Sequence, residues 1–330
     1  MKLERKTMLC LLLCAALLCA ALSGCGKKAE ETPAPAAETP TPAAETAKPT
    51  ATPAPTATPE PTATPAPTPE DRGGPSTSTD LKPKDLEPEE GDGMIHSAGE
   101  LIAAIQPGAE IVLAPGEYDL SLMADDPAAL DKFNDLHEYV KLRNWTKDGV
   151  EIVITGCDGL TIRGAGEGSA EVQLVVQPRH VTVLAFDNCH DLSVSHMTMG
   201  HTPDRGTCDG SVIALENCAD VLLDNLDLYG CGAFGVRAVG CAGGLTVRNS
   251  ILRECEYGPF GILDCSAEVV FTGCALLDSD GGGTYEPGTG GTLRFETCEF
   301  GKLETEVWKD RAGVQFTDCN FGVITKTPQA

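Results

Sequence analysis

The chain predicts an all-β fold, a parallel β-helix solenoid, and three observations carry the prediction. The first is a spacing that returns every 24 residues. Val221, Leu223, Leu226, Leu228 and Cys231 are followed by Leu245, Val247, Ser250, Leu252 and Cys255, then by Val269, Phe271, Cys274, Leu276 and Ser279. Repetition at a period of 20–50 residues marks a solenoid. The second is the rhythm inside each set, which steps by two, three, two, three. A step of two is the strand period, and a step of three marks a corner at which the side chains keep pointing inward. The third is composition. With 36 Gly and only 5% aromatic residues, the chain suits thin coils and tight turns rather than one thick core.

The segments before the array read differently. Lys2, Arg5 and Lys6 precede an apolar run from Met8 to Leu22, which ends in Leu22-Ser23-Gly24-Cys25. The run is short for a membrane span and is followed at once by small residues, as in a signal peptide. The tetrapeptide resembles the lipobox of bacterial lipoproteins. That resemblance implies cleavage after residue 24, a diacylglyceryl group on Cys25, and an extracytoplasmic protein lipid-anchored to the bacterial cell membrane.

Residues 25–93 are mostly Pro, Thr, Ala and Glu, with Thr-Ala-Thr-Pro repeated from Thr50, Thr56 and Thr62. Such a segment cannot bury a core, and its prolines favour extended polyproline II. At ~3.1 Å per residue it reaches on the order of 200 Å when extended, enough to serve as a tether.

The globular part is expected over residues 94–325, with 326–330 as a tail. Ser97-Ala-Gly-Glu100 reads as a capping box, with Glu100 reaching back to the Ser97 backbone. Leu101, Ile102 and Ile105 give the short helix behind it one apolar face, suited to capping the end of a solenoid. The stretch from Glu110 to Tyr118 reads as strand and turn. Residues 119–148 interrupt the repeat, and Leu130, Phe133, Leu136 and Tyr139 have helix-like spacing, as an insert packed on the coils would show. Inward positions then continue from Ile152 to Phe321, which makes about seven to eight coils.

The run from Asn217 to Val236, Asn-Cys-Ala-Asp-Val-Leu-Leu-Asp-Asn-Leu-Asp-Leu-Tyr-Gly-Cys-Gly-Ala-Phe-Gly-Val, resembles the right-handed parallel β-helix repeats of the pectin-lyase-like superfamily. The segment from Glu100 to Tyr118 is similar to the N-terminal cap and first strand of those proteins. The resemblance implies right-handed coils. It does not imply one activity, since that fold carries lyases, hydrolases, epimerases and non-enzymes.

Fifteen Cys would signal a disulfide scaffold in a short secreted chain. Here four lie at or before residue 25, and most of the others fall on inward repeat positions. Cys157, Cys189, Cys218, Cys241 and Cys265 should stack at one corner. Met197, Leu226, Ser250, Cys274, Cys298 and Cys319 should stack at a second, and Cys231, Cys255 and Ser279 at a third. Ser, Leu and Met in equivalent places point to small free thiols that pack as apolar residues. His196, His201, Cys208 and Asp209 match no familiar metal spacing, so no metal site is expected from them.

The formal charge of −25 argues against nucleic acid as a partner and repels polyanionic glycans unless a cation such as Ca²⁺ bridges them. The third corner is where polar residues gather. The segments that leave the coil there carry Asp204, Arg205 and Asp209, then Arg253, Glu254 and Glu256, then Asp278 and Asp280, as candidate catalytic groups. His201, Tyr229, Tyr257 and Tyr285 are candidate ligand-binding groups on the same edge. Rings stack on sugar faces, and paired carboxylates can act as acid and base.

The chain departs from the superfamily's enzymes, however. Gly200-His201-Thr202 is the nearest the chain comes to the Gly-His-Gly of the hydrolases, Arg-x-Lys is missing, and Lys is absent between Asp148 and Gly301. An arrangement like that of pectate lyases, with Ca²⁺ and an Arg base drawn from Arg205, Arg237 or Arg253, would survive these absences. Two functions therefore stand open for what reads as a monomer. One is a surface module that binds a polysaccharide, with cleavage by a lyase or hydrolase reaction as its extension. The other is a non-catalytic structural or adhesive surface protein.

Overall fold

A computed structural model describes residues 91–122, 127–143, 148–203, 209–230 and 232–323. Cys25, the lipoprotein signal and the tether up to residue 90 lie outside these residues, as do Asp204, Arg205, Cys208 and Cys231. No helix among the described residues is long and apolar enough to cross a membrane.

The fold is predominantly β, with parallel ladders throughout except at one antiparallel strand and one antiparallel bridge. Three runs of strands recur in chain order. One is Leu184–Asp187, Ile213–Glu216, Phe234–Val239, Gly258–Leu263 and Thr284–Glu286, which pair side by side in a seven-stranded sheet. The other two runs share a fourteen-stranded sheet that curls, because His190–His201 and Ala219–Tyr229 pass straight through a bend and so belong to both. This is an arrangement compatible with a parallel β-helix.

The register carries the sequence spacing into space. Leu223 pairs with Val247, Val247 with Phe271, Phe271 with Phe295 and Phe295 with Phe316. These five side chains step along one inward column. Phe271, Phe295 and Phe316 stack with ring centroids 5.2 and 5.4 Å apart.

The step of three has a backbone cause. At each corner the residue just before the inward one adopts positive φ: Asn188, Asn217 and Asp264 in one column, His196, Asn225, Asn249, Thr297 and Asp318 in a second, Glu254 and Asp278 in a third. Asn and Asp tolerate this left-handed conformation better than other non-glycine residues. The inward residue that follows has a job as well. The thiols of Cys218, Cys265, Cys274, Cys298 and Cys319, and the hydroxyls of Ser250 and Ser279, each donate to the carbonyl two residues back, at 2.7–3.5 Å. A small side chain with one weak donor thus closes the turn while it fills the core. Among the described residues nine cysteines are free, eight of them buried.

Both ends of the array carry helices. α1 (Ala98–Ala104) starts at Ser97, whose Oγ accepts from the Glu100 amide at 3.2 Å. Glu100 reaches back one residue further than a capping box would place it, accepting from the His96 amide at 2.7 Å. Leu101 and Ile102 are buried against the first strands. The insert forms α2 (Pro127–Leu136) and the strand Val140–Arg143, which adds antiparallel to Glu151–Thr155. Arg143 pins it by ion pairs of 3.0 Å to both Glu151 and Glu216.

The third helix, α3 (Lys302–Trp308), corrects an expectation, since residues 302–308 were counted within the coils. Here the fully buried Trp308 stands 4.8 Å from Phe260 of the smaller sheet by ring centroid.

Candidate ligand-binding edge

The turns at the third corner stack on one another through their backbones. The amides of Glu256 and Tyr257 donate to the carbonyls of Gly232 and Ala233 at 3.0 and 2.8 Å. The amides of Asp280 and Gly283 donate in turn to Cys255 and Tyr257, both at 3.0 Å. Residues 232–233, 254–257 and 278–283 therefore form a ledge of successive turns. Its glycines are there for close approach. A Cβ on Gly258, whose φ is +131°, would collide with the backbone of Gly283, and one on Gly281 would stand 2.6 Å from the Tyr257 carbonyl oxygen.

The candidate aromatics take four different positions. Tyr257 is 50% exposed and stands on the ledge, propped edge-on by Phe234 at 5.9 Å between centroids. Phe234, which the sequence reading passed over, lies across Gly261 of the next strand. Its signal was weak, because in a core filled by Leu, Val, Ile and Phe one more Phe reads as another inward residue. Tyr229 is half-buried; its ring packs on Gly200 and lies under the Arg253 guanidinium at 4.9 Å.

The other two candidates face inward. Tyr285 is 7% exposed, pairs with Ile262, and donates its hydroxyl to Gly291 O at 3.2 Å. His201 is 2% exposed beneath Gly230 and Gly232, with Nε2 donating to Val181 O at 2.9 Å. Neither ring presents a face to solvent. The reason is positional: each sits on the strand proper, at an inward step, and not in the turn that follows it.

The charged candidates also divide. Arg253 donates to both carboxylate oxygens of Asp227, at 2.9 and 3.1 Å, and pairs with Glu254 at 3.1 Å. Burial works to lower its pKa, but the Asp227 bonds and the two negative charges outweigh that and hold it above its ordinary value. A guanidinium held in this way keeps its proton and clamps neighbouring strands. Arg237 is likewise engaged, 3.2 Å from Glu216.

Glu254 and Asp278 occupy the left-handed corner position of successive turns, Glu256 is half-buried, and Asp278 and Asp280 are exposed. Asp209 stands apart from that ledge of turns in its contacts, 3.0 Å from His180 Nδ1. Among the described residues no three His, Cys, Asp or Glu side chains group as a metal-ligand set.

Chemically, the ledge offers one exposed ring and a row of carboxylates along stacked turns. No protein-family model matches the chain, and no curated protein matches it either.

Proposed function

We propose that the chain is a lipid-anchored surface protein whose domain binds a polysaccharide along the third-corner ledge. In this reading Cys25 carries the anchor and residues 26–93 hold the domain away from the membrane. The domain is a right-handed parallel β-helix of about seven to eight coils, of the pectin-lyase-like kind. The observation that carries the reading is the exposed Tyr257 ring, held upright by Phe234 on turns that also bring Glu254, Glu256, Asp278 and Asp280 to one edge. A rigid ring beside hydrogen-bonding carboxylates suits a sugar, which shows an apolar face and a rim of hydroxyls.

Binding without cleavage is the form this reading takes, because Arg253 is committed to Asp227 and Glu254. The test is calorimetry of the purified chain against a panel of soluble polysaccharides, with and without Ca²⁺. A saturable signal is expected for at least one glycan, and Tyr257→Ala should weaken it about tenfold, ~1.4 kcal/mol. No binding across the panel would remove the proposal. New reducing ends or a rise in 235-nm absorbance would restore a cleaving enzyme.

A further inference from the structure

We propose that Cys319 is a reversible thiol-modification site, which reacts with low-molecular-weight disulfides and passes the bond inward to Cys298. The site lies in the second corner column and does not depend on the glycan-binding reading above.

The first observation is a gradient of access along one column. Cys274, Cys298 and Cys319 hold equivalent places on three successive coils, each two residues after the paired Thr272, Glu296 and Thr317. Cys274 and Cys298 are 1% and 0% exposed. Among the described residues Cys319 is the one free cysteine that is not buried. Phe316 and Phe321 beside it are half-buried as well, so solvent reaches this end of the column.

The second observation is contact between an outer and an inner thiol. The backbone amide of Cys298 donates to the Cys319 sulfur, which ties that sulfur to the residue beneath it. Neighbouring coils stand ~4.8 Å apart, within the Cα separations that a disulfide spans. The inner thiol is also the more acidic of the two. Its hydrogen bond with Cys274 lowers Cys298 below the ordinary value against burial, whereas burial raises Cys319. A thiolate is the attacking species in disulfide exchange.

The exchange runs in two steps. The Cys319 thiolate attacks one sulfur of the small disulfide, whose S–S bond breaks. One half leaves as a thiolate and takes up the proton that Cys319 gave. The Cys298 thiolate then attacks the Cys319 sulfur and expels the second half, which takes the Cys298 proton. Two protein thiols are oxidised and one small disulfide is reduced to two thiols. Stacked side chains with parallel directions strain the product, and strained disulfides are readily reduced, so the modification is reversible.

The experiment incubates the reduced, intact chain with oxidised glutathione at mildly alkaline pH, quenches with acid, and maps peptides by mass spectrometry. A glutathione adduct on Cys319 should appear first and give way to a Cys298–Cys319 disulfide, which dithiothreitol reopens. Cys319→Ser should abolish both products. Cys298→Ser should hold the adduct on Cys319 roughly tenfold longer. Ser250 already stands in this column, so serine suits the corner.

An adduct that persists as long in the unmodified sequence as in Cys298→Ser would overturn the inward transfer. Adducts on Cys274 or Cys298 in Cys319→Ser would overturn Cys319 as the point of entry. A Cys319 that reacts only in denaturant would overturn the site altogether.

Discussion

His201 illustrates how much one step of register decides for a residue. It ends the strand His190–His201, and the next turn, through Gly230 and Gly232, closes over it. Burial lowers its pKa, opposed by the hydrogen bond to Val181 O and by the Asp148 charge. The sign follows from proton counting. A histidine whose folded pKa lies below its unfolded value of ~6.5 binds fewer protons when folded, so stability is lost as pH falls through that window. The melting temperature should therefore drop between pH 7 and pH 5, and His201→Gln should flatten that part of the profile. An unchanged pH profile in the variant would assign the acid sensitivity to other groups. Arg253 makes the complementary point: as a residue type it was a candidate base, and its partners turn it into a clamp.

At the scale of elements, the corner columns do the most to explain this chain. Most pair a left-handed Asn, Asp or Gly with a following Cys or Ser whose donor closes the turn, as in Asn217-Cys218, Gly240-Cys241 and Asp264-Cys265, with His196-Met197 and Asn225-Leu226 among the exceptions. The thiols are well shielded. Burial, helped by the neighbouring Cys189 and Asp158, pushes the Cys157 thiol up to about 11. The shared hydrogen bond with Cys265, together with burial, pushes Cys241 up. The hydrogen bond from Cys241 works the other way on its partner and lowers the Cys265 thiol to about 7, so it is exclusion from solvent that keeps these columns from reacting. Brief iodoacetamide treatment of the native protein, read by peptide mass spectrometry, should leave Cys189, Cys218, Cys241, Cys265, Cys274 and Cys298 unlabelled. The same treatment in denaturant should label all six. Labelling of these columns without denaturant would mean that the corners open far more readily than their packing implies.

The inward columns were legible from spacing alone, because a repeated step of two and three has few other geometric solutions. The left-handed partners were there to be read too, as Asn, Asp or Gly before nearly every inward Cys, but only the backbone angles give that pairing its meaning. The helix α3 was not legible, since Leu303 and Val307 mimic inward residues when scanned for a strand. They are in fact 48% and 45% exposed, while Glu304 and Trp308 face inward.

For the molecule as a whole, the core is a succession of neighbours, each inward side chain touching mainly the ones before and after it in its column. Phe295 lies between Phe271 and Phe316 in its own column, at 5.2 and 5.4 Å between ring centroids, and also meets Phe260 and Phe300 of the other two strand runs at 5.6 and 5.0 Å. Phe295→Ala should cost roughly 3–5 kcal/mol, because the rings above and below cannot collapse into the gap without breaking register. Urea unfolding would measure it, and a loss below ~1 kcal/mol would mean that the column relaxes as a fluid core would.

The same one-dimensional build places the candidate site. Stacked turns bring residues 24 apart in sequence to one edge, so Tyr257 and Asp280 become neighbours through backbone bonds to adjacent coils. By itself the sequence determined the parallel repeat, the inward columns and the corner at which polar residues collect, since all three follow from periodicity in a chain with two side-chain directions per strand. The tertiary structure alone decided which polar residues remain available there. It buried His201 and Tyr285, engaged Arg253, and left Tyr257 raised on Phe234, because availability depends on what the next coil lays over each side chain, and that lies outside the repeat.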